Sequence, residues 1–290
     1  MLQDTPQIPV IPQRGAEIRA LNSLSPEEIR ARAGDRLTVC PDLDTLHRHM
    51  AESIAADIEA GNRSGVPVRL ILPVGPVGQY PILAEIIAQR GLSLANSRFF
   101  FMDEYCDAEG RTLPESHPLS FKGTVTRLFT QNLPHTANLT PETCIFPDEH
   151  NYASLAARIA EGGIDTCYGG IGLHGHLAFN EPEVGVKDMS VRLVRLNDFT
   201  VTINAIRAQI GGDVENFPRH AYTLGMRELL SARRIRLYCR NGSGLDWANT
   251  VLRLALLGMS GDDYPVTHIR GTDYQIVTDE NTLASPTFVL

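Results

Sequence analysis

The stretch Val68-Arg69-Leu70-Ile71-Leu72-Pro73-Val74-Gly75-Pro76-Val77-Gly78 decides how this chain folds. A short apolar run, too short for a helix, gives way at once to a turn of prolines and glycines. Such a run reads as a strand buried on both faces. Behind it, Ile82 to Gln89 has helical character, and Arg98 to Met102, with its three phenylalanines, is another apolar strand. Strand, turn, helix and strand in that order make the repeating unit of a parallel sheet.

The same alternation extends in both directions. Arg36 to Cys40 is a short strand. Asp42 to Ala60 carries Leu43, Leu46, Met50, Ile54 and Ile58 at helical spacing, and Gly61 is the expected stop. Downstream, Tyr152 to Ala160 reads as a helix, and Ile164 to Tyr168 as a strand running into Gly169-Gly170-Ile171-Gly172. Val191 to Leu196, Ile235 to Cys239 and Tyr274 to Val277 complete the strands, and Trp247 to Leu257 is a late helix. The expected fold class is α/β, a mostly parallel sheet with helices on both faces, in residues 36–290. Ligands of such sheets bind at the carboxyl ends of the strands. That rule selects the loops 73–80, 103–106 and 169–182.

Residues 1–35 read differently, as an N-terminal extension with one short helix. Pro6, Pro9 and Pro12 make its first part extended. Ser25-Pro26-Glu27-Glu28 then marks a helix start, with a capping serine, a proline in the first turn and a glutamate that closes a capping box. Packing of this arm on its own domain is the expected arrangement, and packing on a second subunit of a homo-oligomer is the alternative.

Composition narrows the function classes. With 290 residues and 43% hydrophobic content, the chain can bury a large core. A net charge of −8 with scattered Lys and Arg argues against nucleic acid as a partner. Arg233, Arg234 and Arg236 form the one dense basic cluster, read as a solvated strand edge. The five cysteines, Cys40, Cys106, Cys144, Cys167 and Cys239, are far apart and contain no CxxC pair. They indicate neither a disulfide framework nor a zinc site, and a cytoplasmic setting is the simplest expectation. The first residues lack the pattern of a secretion signal, and no stretch reaches the ~18 apolar residues of a membrane helix.

The three loops carry the candidate chemistry. In the first, Gly75, Gly78 and Gln79 lie between a strand and a helix N-terminus, where backbone can approach an anion; a plain tight turn is the reading the local sequence prefers. In the second, Asp103 and Glu104 are adjacent carboxylates at the end of an apolar strand. One is set to face a cleft and the other to face away or pair. A carboxylate so placed can abstract a proton next to a carbonyl, and a helix cap or surface ion pair is the competing reading. The third runs from Gly169, Gly170 and Gly172 through His174, His176, Asn180 and Glu181 to Pro182. Two histidines and a carboxylate beside glycines point to proton transfer. Zinc is the rival, but no third and fourth ligands stand at metal-site spacing.

Together, Met102-Asp103-Glu104-Tyr105 and Gly172-x-x-Gly175-His176-x-Ala178-Phe179-Asn180-Glu181-Pro182 resemble the motifs of the glucosamine-6-phosphate deaminase/isomerase family. Pro114-Glu115-Ser116 and Tyr222 to Met226 fit the same pattern, and the match extends from about Arg36 to Leu283. The related 6-phosphogluconolactonases lack the Asn-Glu-Pro ending. The resemblance implies a Rossmann-like α/β fold and a reaction without metal or organic cofactor. A cyclic amino-sugar 6-phosphate opens, its C2 proton moves to C1, and the C2 imine is hydrolysed to a ketose phosphate and ammonia. It implies Asp103 as the base, His176 as the ring-opening acid–base group and Glu181 as its orienting partner.

Against that family the chain has three departures. His174 stands where the family has Asp. Val74, Pro76 and Val77 replace hydroxyl and backbone donors in the first loop. Leu245, within Asn241 to Asp246, falls near the phosphate-holding Lys. Arg207 and Ser243 are the remaining candidate phosphate contacts, and Gly170, Gly172, Asn180 and Glu104 the remaining sugar contacts. An amino-sugar enzyme of altered specificity is the expected function; a sugar-binding sensor of the same fold is the alternative.

Overall fold

The computed structural model describes residue 10, residues 13–242 and residues 246–290. Ser243, Leu245, Pro6, Pro9 and Pro12 lie outside the described residues. The strands are β1 (Leu37–Cys40), β2 (Val68–Leu72), β3 (Ser97–Phe101), β4 (Asp103–Cys106), β5 (Cys144–Ile145), β6 (Thr166–Gly170), β7 (Arg192–Arg195), β8 (His220–Thr223), β9 (Arg234–Tyr238) and β10 (Tyr274–Asp279). Seven of them form one sheet in the order β1-β10-β9-β6-β2-β3-β5. Every neighbouring pair in it is parallel.

Alternation along these strands builds two cores. Ile71, Phe100, Cys167, Ile235, Leu237 and Ile276 point to one face, against Ile159, Leu229 and the helix Ala248–Leu257. Leu70, Leu72, Phe99, Phe101, Tyr168 and Val277 point to the other, against Leu46, Met50 and Ile54 of the helix Leu43–Ser64 and against Leu83 and Ile87 of the helix Gln79–Arg90. Helices therefore cover both faces, which is why these strands read as continuous apolar runs. Among the described residues no helix is long and apolar enough to cross a membrane.

The structure corrects the sequence reading in several places. The helix after Asp42 does not stop at Gly61 but continues to Ser64, ending at Gly65 with φ 69°. Gly61 is small because the helix packs on β2 there: a Cβ would sit 3.1 Å from the Val66 carbonyl oxygen and 3.3 Å from Val68 Cβ. Residues 15–33 hold two helices, Gly15–Asn22 and Pro26–Ala33, not one. The second has the expected capping box, with Glu28 N donating to Ser25 Oγ and Ser25 N to Glu28 Oε2. The first has no side-chain cap and so left no signature. Leu21, Leu24 and Ile29 are buried in the main core, and Arg14 pairs with Asp263 at 2.6 Å, so this segment packs on the α/β body.

The 103–106 segment is a strand, not a loop. β4 belongs to a second, antiparallel sheet, β4-β8-β7. Met102 joins the two sheets: its amide donates to Leu72 O of the large one, and its carbonyl accepts from Leu224 N just beyond β8. The small sheet packs with the helix Asp198–Arg207 around Tyr105, Phe179, Val201 and Phe217. It stands over the carboxyl edge of the large sheet and forms the far wall of a cleft.

Candidate active site

The cleft has a volume of about 380 Å³. Its floor comes from the carboxyl ends of four adjacent strands. β2 supplies Pro73 to Val77, β3 leads into Met102 and Asp103, β6 supplies Gly170 to Gly172, and β9 supplies Tyr238 and Arg240. The upper wall includes Tyr105, Phe179, Asn204 and Arg207.

Asp103 lines the cleft, and its carboxylate has no hydrogen-bond partner among the described residues. Burial, reinforced by the charge of Glu104, holds it well above the usual carboxylate range. Glu104 does not line the cleft. Strand alternation turns it the other way, where Oε1 accepts from the amides of Tyr105 and Phe121, and Oε2 from the amide of Lys122 and the Ser120 hydroxyl. Burial still pushes it up to about 7, against the pull of these donors. The expectation that Glu104 touches the sugar is therefore corrected: it anchors the start of the helix Phe121–Leu128.

His176 lines the cleft; His174 and Glu181 do not. Gly172 makes room for the ring, since a Cβ there would lie 1.9 Å from His176 Nε2. His176 Nδ1 lies 3.2 Å from His174 Nδ1, and His174 Nε2 lies 3.4 Å from Asn197 Nδ2. Burial first, then His174 and Arg207, keep His176 well below the usual imidazole range. Glu181 makes no hydrogen bond to either histidine among the described residues. Its Oε2 accepts from Asn197 N at 2.9 Å, so it supports the histidines only through Asn197. Burial raises Glu181 to about 7, with the neighbouring Thr200 hydroxyl and the Asn197 amide offsetting part of the effect; Oε1 meets no donor in good hydrogen-bonding geometry. Ala178, also in the wall, has φ 53°, a left-handed conformation that costs a non-glycine residue about 1–2 kcal/mol.

Asn180 is withdrawn from the cleft as well. Its Nδ2 donates to Leu177 O and Leu224 O, and its Oδ1 accepts from Arg192, so it ties the 169–182 loop to the small sheet rather than pointing to a sugar. Gln79 is buried beneath the first loop, donating to Pro76 O, and Gly78 packs on His47. Of Gly75, Gly78 and Gln79, the first-loop contacts expected from sequence, only Gly75 reaches the cleft, alongside Gly170 and Gly172 of the third loop.

The first-loop side chains Pro73, Val74, Pro76 and Val77 give the cleft an apolar side without donors. Facing it are two guanidinium groups. Arg207 donates to Gly75 O at 3.3 Å and Arg240 to Asn241 O at 3.3 Å, and neither makes an ion pair among the described residues. Burial and mutual repulsion lower Arg240. Sequence reading missed Arg240, Trp247 and Asn197. The carboxyl-end rule, applied to β9, would have found Arg240. Asn197 carried a signal only as a helix cap. Among the described residues, no group of three His, Cys, Asp or Glu is placed to hold a metal ion.

No family model matches the chain. A glucosamine-6-phosphate deaminase from Phocaeicola vulgatus is 32% identical over 214 residues, covering 70% of this chain and 77% of its own length. The one from Parabacteroides distasonis is 33% identical over 210 residues, covering 69% and 73%. The one from Caenorhabditis elegans is 29% identical over 211 residues, covering 70% and 74%. Among solved structures, a monomeric glucosamine-6-phosphate deaminase superposes with a TM-score of 0.73 at 23% identity, covering 85% of this chain and 98% of that one. A 6-phosphogluconolactonase from Thermotoga maritima gives 0.61 at 16% identity, covering 84% and 98%. These two share the fold. At 32–33% identity over 210–214 residues of the curated relatives, the chain belongs to the glucosamine-6-phosphate deaminase family.

Proposed function

We propose that this chain converts an amino-sugar 6-phosphate into a ketose phosphate and ammonia. The observation that carries this reading is the company Asp103 keeps. An unpartnered buried carboxylate and an imidazole share one cleft with two unpaired guanidinium groups. Asp103, raised by burial, is a stronger base than a solvated aspartate and sits where it can take a carbon-bound proton. On the open-chain substrate it removes the C2 proton and returns it to C1. One ammonium proton ends on the C1 oxygen, leaving a C2 iminium. Water then adds, and ammonium departs. His176 faces the oxygens of C1 and the ring.

The phosphate is assigned to Arg207 and Arg240, because the apolar side chains of the first loop offer it no donor. Charge-assisted bonds are worth about 1.5–3 kcal/mol each, so two cations can offset part of what the family's lost hydroxyls supplied. Specificity is accordingly shifted away from glucosamine 6-phosphate, toward a sugar whose body tolerates Val74, Pro76 and Val77. The test is ammonia release from a panel of hexosamines and their 6-phosphates. Turnover of a phosphorylated amino sugar supports the reading, with glucosamine 6-phosphate a weak member of the panel. Measurable sugar binding with no ammonia from any of them would favour the sensor, a reading that His174 in place of a carboxylate keeps in view.

A further inference from the structure

The 169–182 loop takes part in an arrangement that its sequence alone does not show: a helix cap wired to the imidazole of the cleft. Asn197 is the N-cap of the helix Asp198–Arg207, and its Oδ1 accepts from Thr200 N at 2.9 Å. That bond fixes which end of the amide is oxygen, so the end facing His174 is Nδ2, a donor only. His174 Nε2, 3.4 Å away, must therefore accept. A neutral imidazole that accepts at one nitrogen carries its proton on the other. His174 Nδ1–H then donates to His176 Nδ1 at 3.2 Å, which must accept in turn. The His176 proton is left on Nε2, the atom that lies against Gly172 at the cleft wall.

We propose that Asn197 and His174 act as positioning residues that fix His176 as the neutral Nε2–H tautomer, so that it meets the substrate as a hydrogen-bond donor rather than as a base. The opposite tautomer would set His174 Nε2–H against Asn197 Nδ2–H, two donors face to face. The groups around His176 agree with a neutral ring: His174 touches it, Arg207 opposes a second positive charge, Asp103 shares the cleft without a hydrogen bond to it, and Glu181 is spent on the Asn197 amide. Complete loss of the Nε2 proton would leave an imidazolate. The group therefore stabilises charge building on the C1 oxygen while Asp103 moves the carbon-bound proton. This catalytic consequence rests on the deaminase reading; the tautomer does not.

The experiment is a long-range proton–nitrogen correlation spectrum of the full chain labelled with ¹⁵N-histidine, recorded at about pH 9 where both rings are neutral. Signals are assigned with His176→Gln and His174→Gln. The expected pattern is a pyrrole-type Nε2 and pyridine-type Nδ1 for His176, with the reverse for His174. Asn197→Asp keeps a capping oxygen for Thr200 N and turns the other end into an acceptor, so both rings should exchange their patterns. A pyrrole-type Nδ1 on His176 in the unmodified protein would overturn the proposal, and so would an unchanged pattern in Asn197→Asp. If the expected pattern is found but no amino sugar releases ammonia, the functional reading falls and the tautomer stands.

Discussion

Asp103 and Glu104 are consecutive residues of β4 and face opposite ways: Asp103 lines the cleft without a partner, and Glu104 is buried behind it, accepting four hydrogen bonds from residues 105 and 120–122. The pleat of one strand thus separates a carboxylate in the cleft from a structural one behind it. Glu104→Gln replaces one accepting oxygen by an NH₂ group that opposes two donors. It should lower stability by about 2–4 kcal/mol, the cost of leaving buried donors unmet, while the folded fraction keeps its affinity for sugar. Denaturant unfolding together with calorimetric binding measures both. A loss of affinity without a loss of stability would return Glu104 to the list of ligand contacts.

Asp103→Asn should leave binding nearly intact and reduce turnover by about 10²–10⁴-fold, the range for removing a general base. The unmodified enzyme should also show an acid limb in its pH profile. Burial holds the Asp103 pKa above the usual range, so the basic form is lost earlier as pH falls than it would be for a solvated aspartate. A profile of kcat/KM that stays flat down to the ordinary aspartate range would remove Asp103 from this role.

Arg240→Met should raise KM for a phosphorylated sugar by about 10- to 100-fold, the equivalent of one charge-assisted hydrogen bond. The matching unphosphorylated sugar should be almost unaffected. Steady-state kinetics on the pair distinguishes a phosphate contact from general damage, which would weaken both alike.

Gly172→Ala is a test of His176 by displacement. A Cβ at 1.9 Å from His176 Nε2 cannot coexist with the present ring position. The expected result is a fall in kcat with the melting temperature little changed, because the ring can swing toward the open cleft. Full activity in Gly172→Ala would show that the ring position is not required.

Chelation by EDTA should leave turnover unchanged, since the proposed steps use only Asp103, His176 and the substrate's own nitrogen. Loss of activity restored by added zinc would instead identify His174 and His176 as ligands.

By itself the sequence determined the large parallel sheet and the family, and it named Asp103 and His176, two residues that line the cleft, as candidates. Val68–Leu72 was legible to the residue because a strand buried on both faces must be a continuous apolar run, a purely local signal. The capping box at Ser25 was legible for the same reason. The tertiary structure decided what depends on distant partners. β4 pairs Asp103 with Thr223 and is separated from the end of β3 by Met102 alone, and nothing local marks the change of sheet there. Only that pairing shows which of two adjacent carboxylates enters the cleft. Asn197 became visible only when its cap met His174, because hydrogen bonds between remote segments leave no periodicity in the chain.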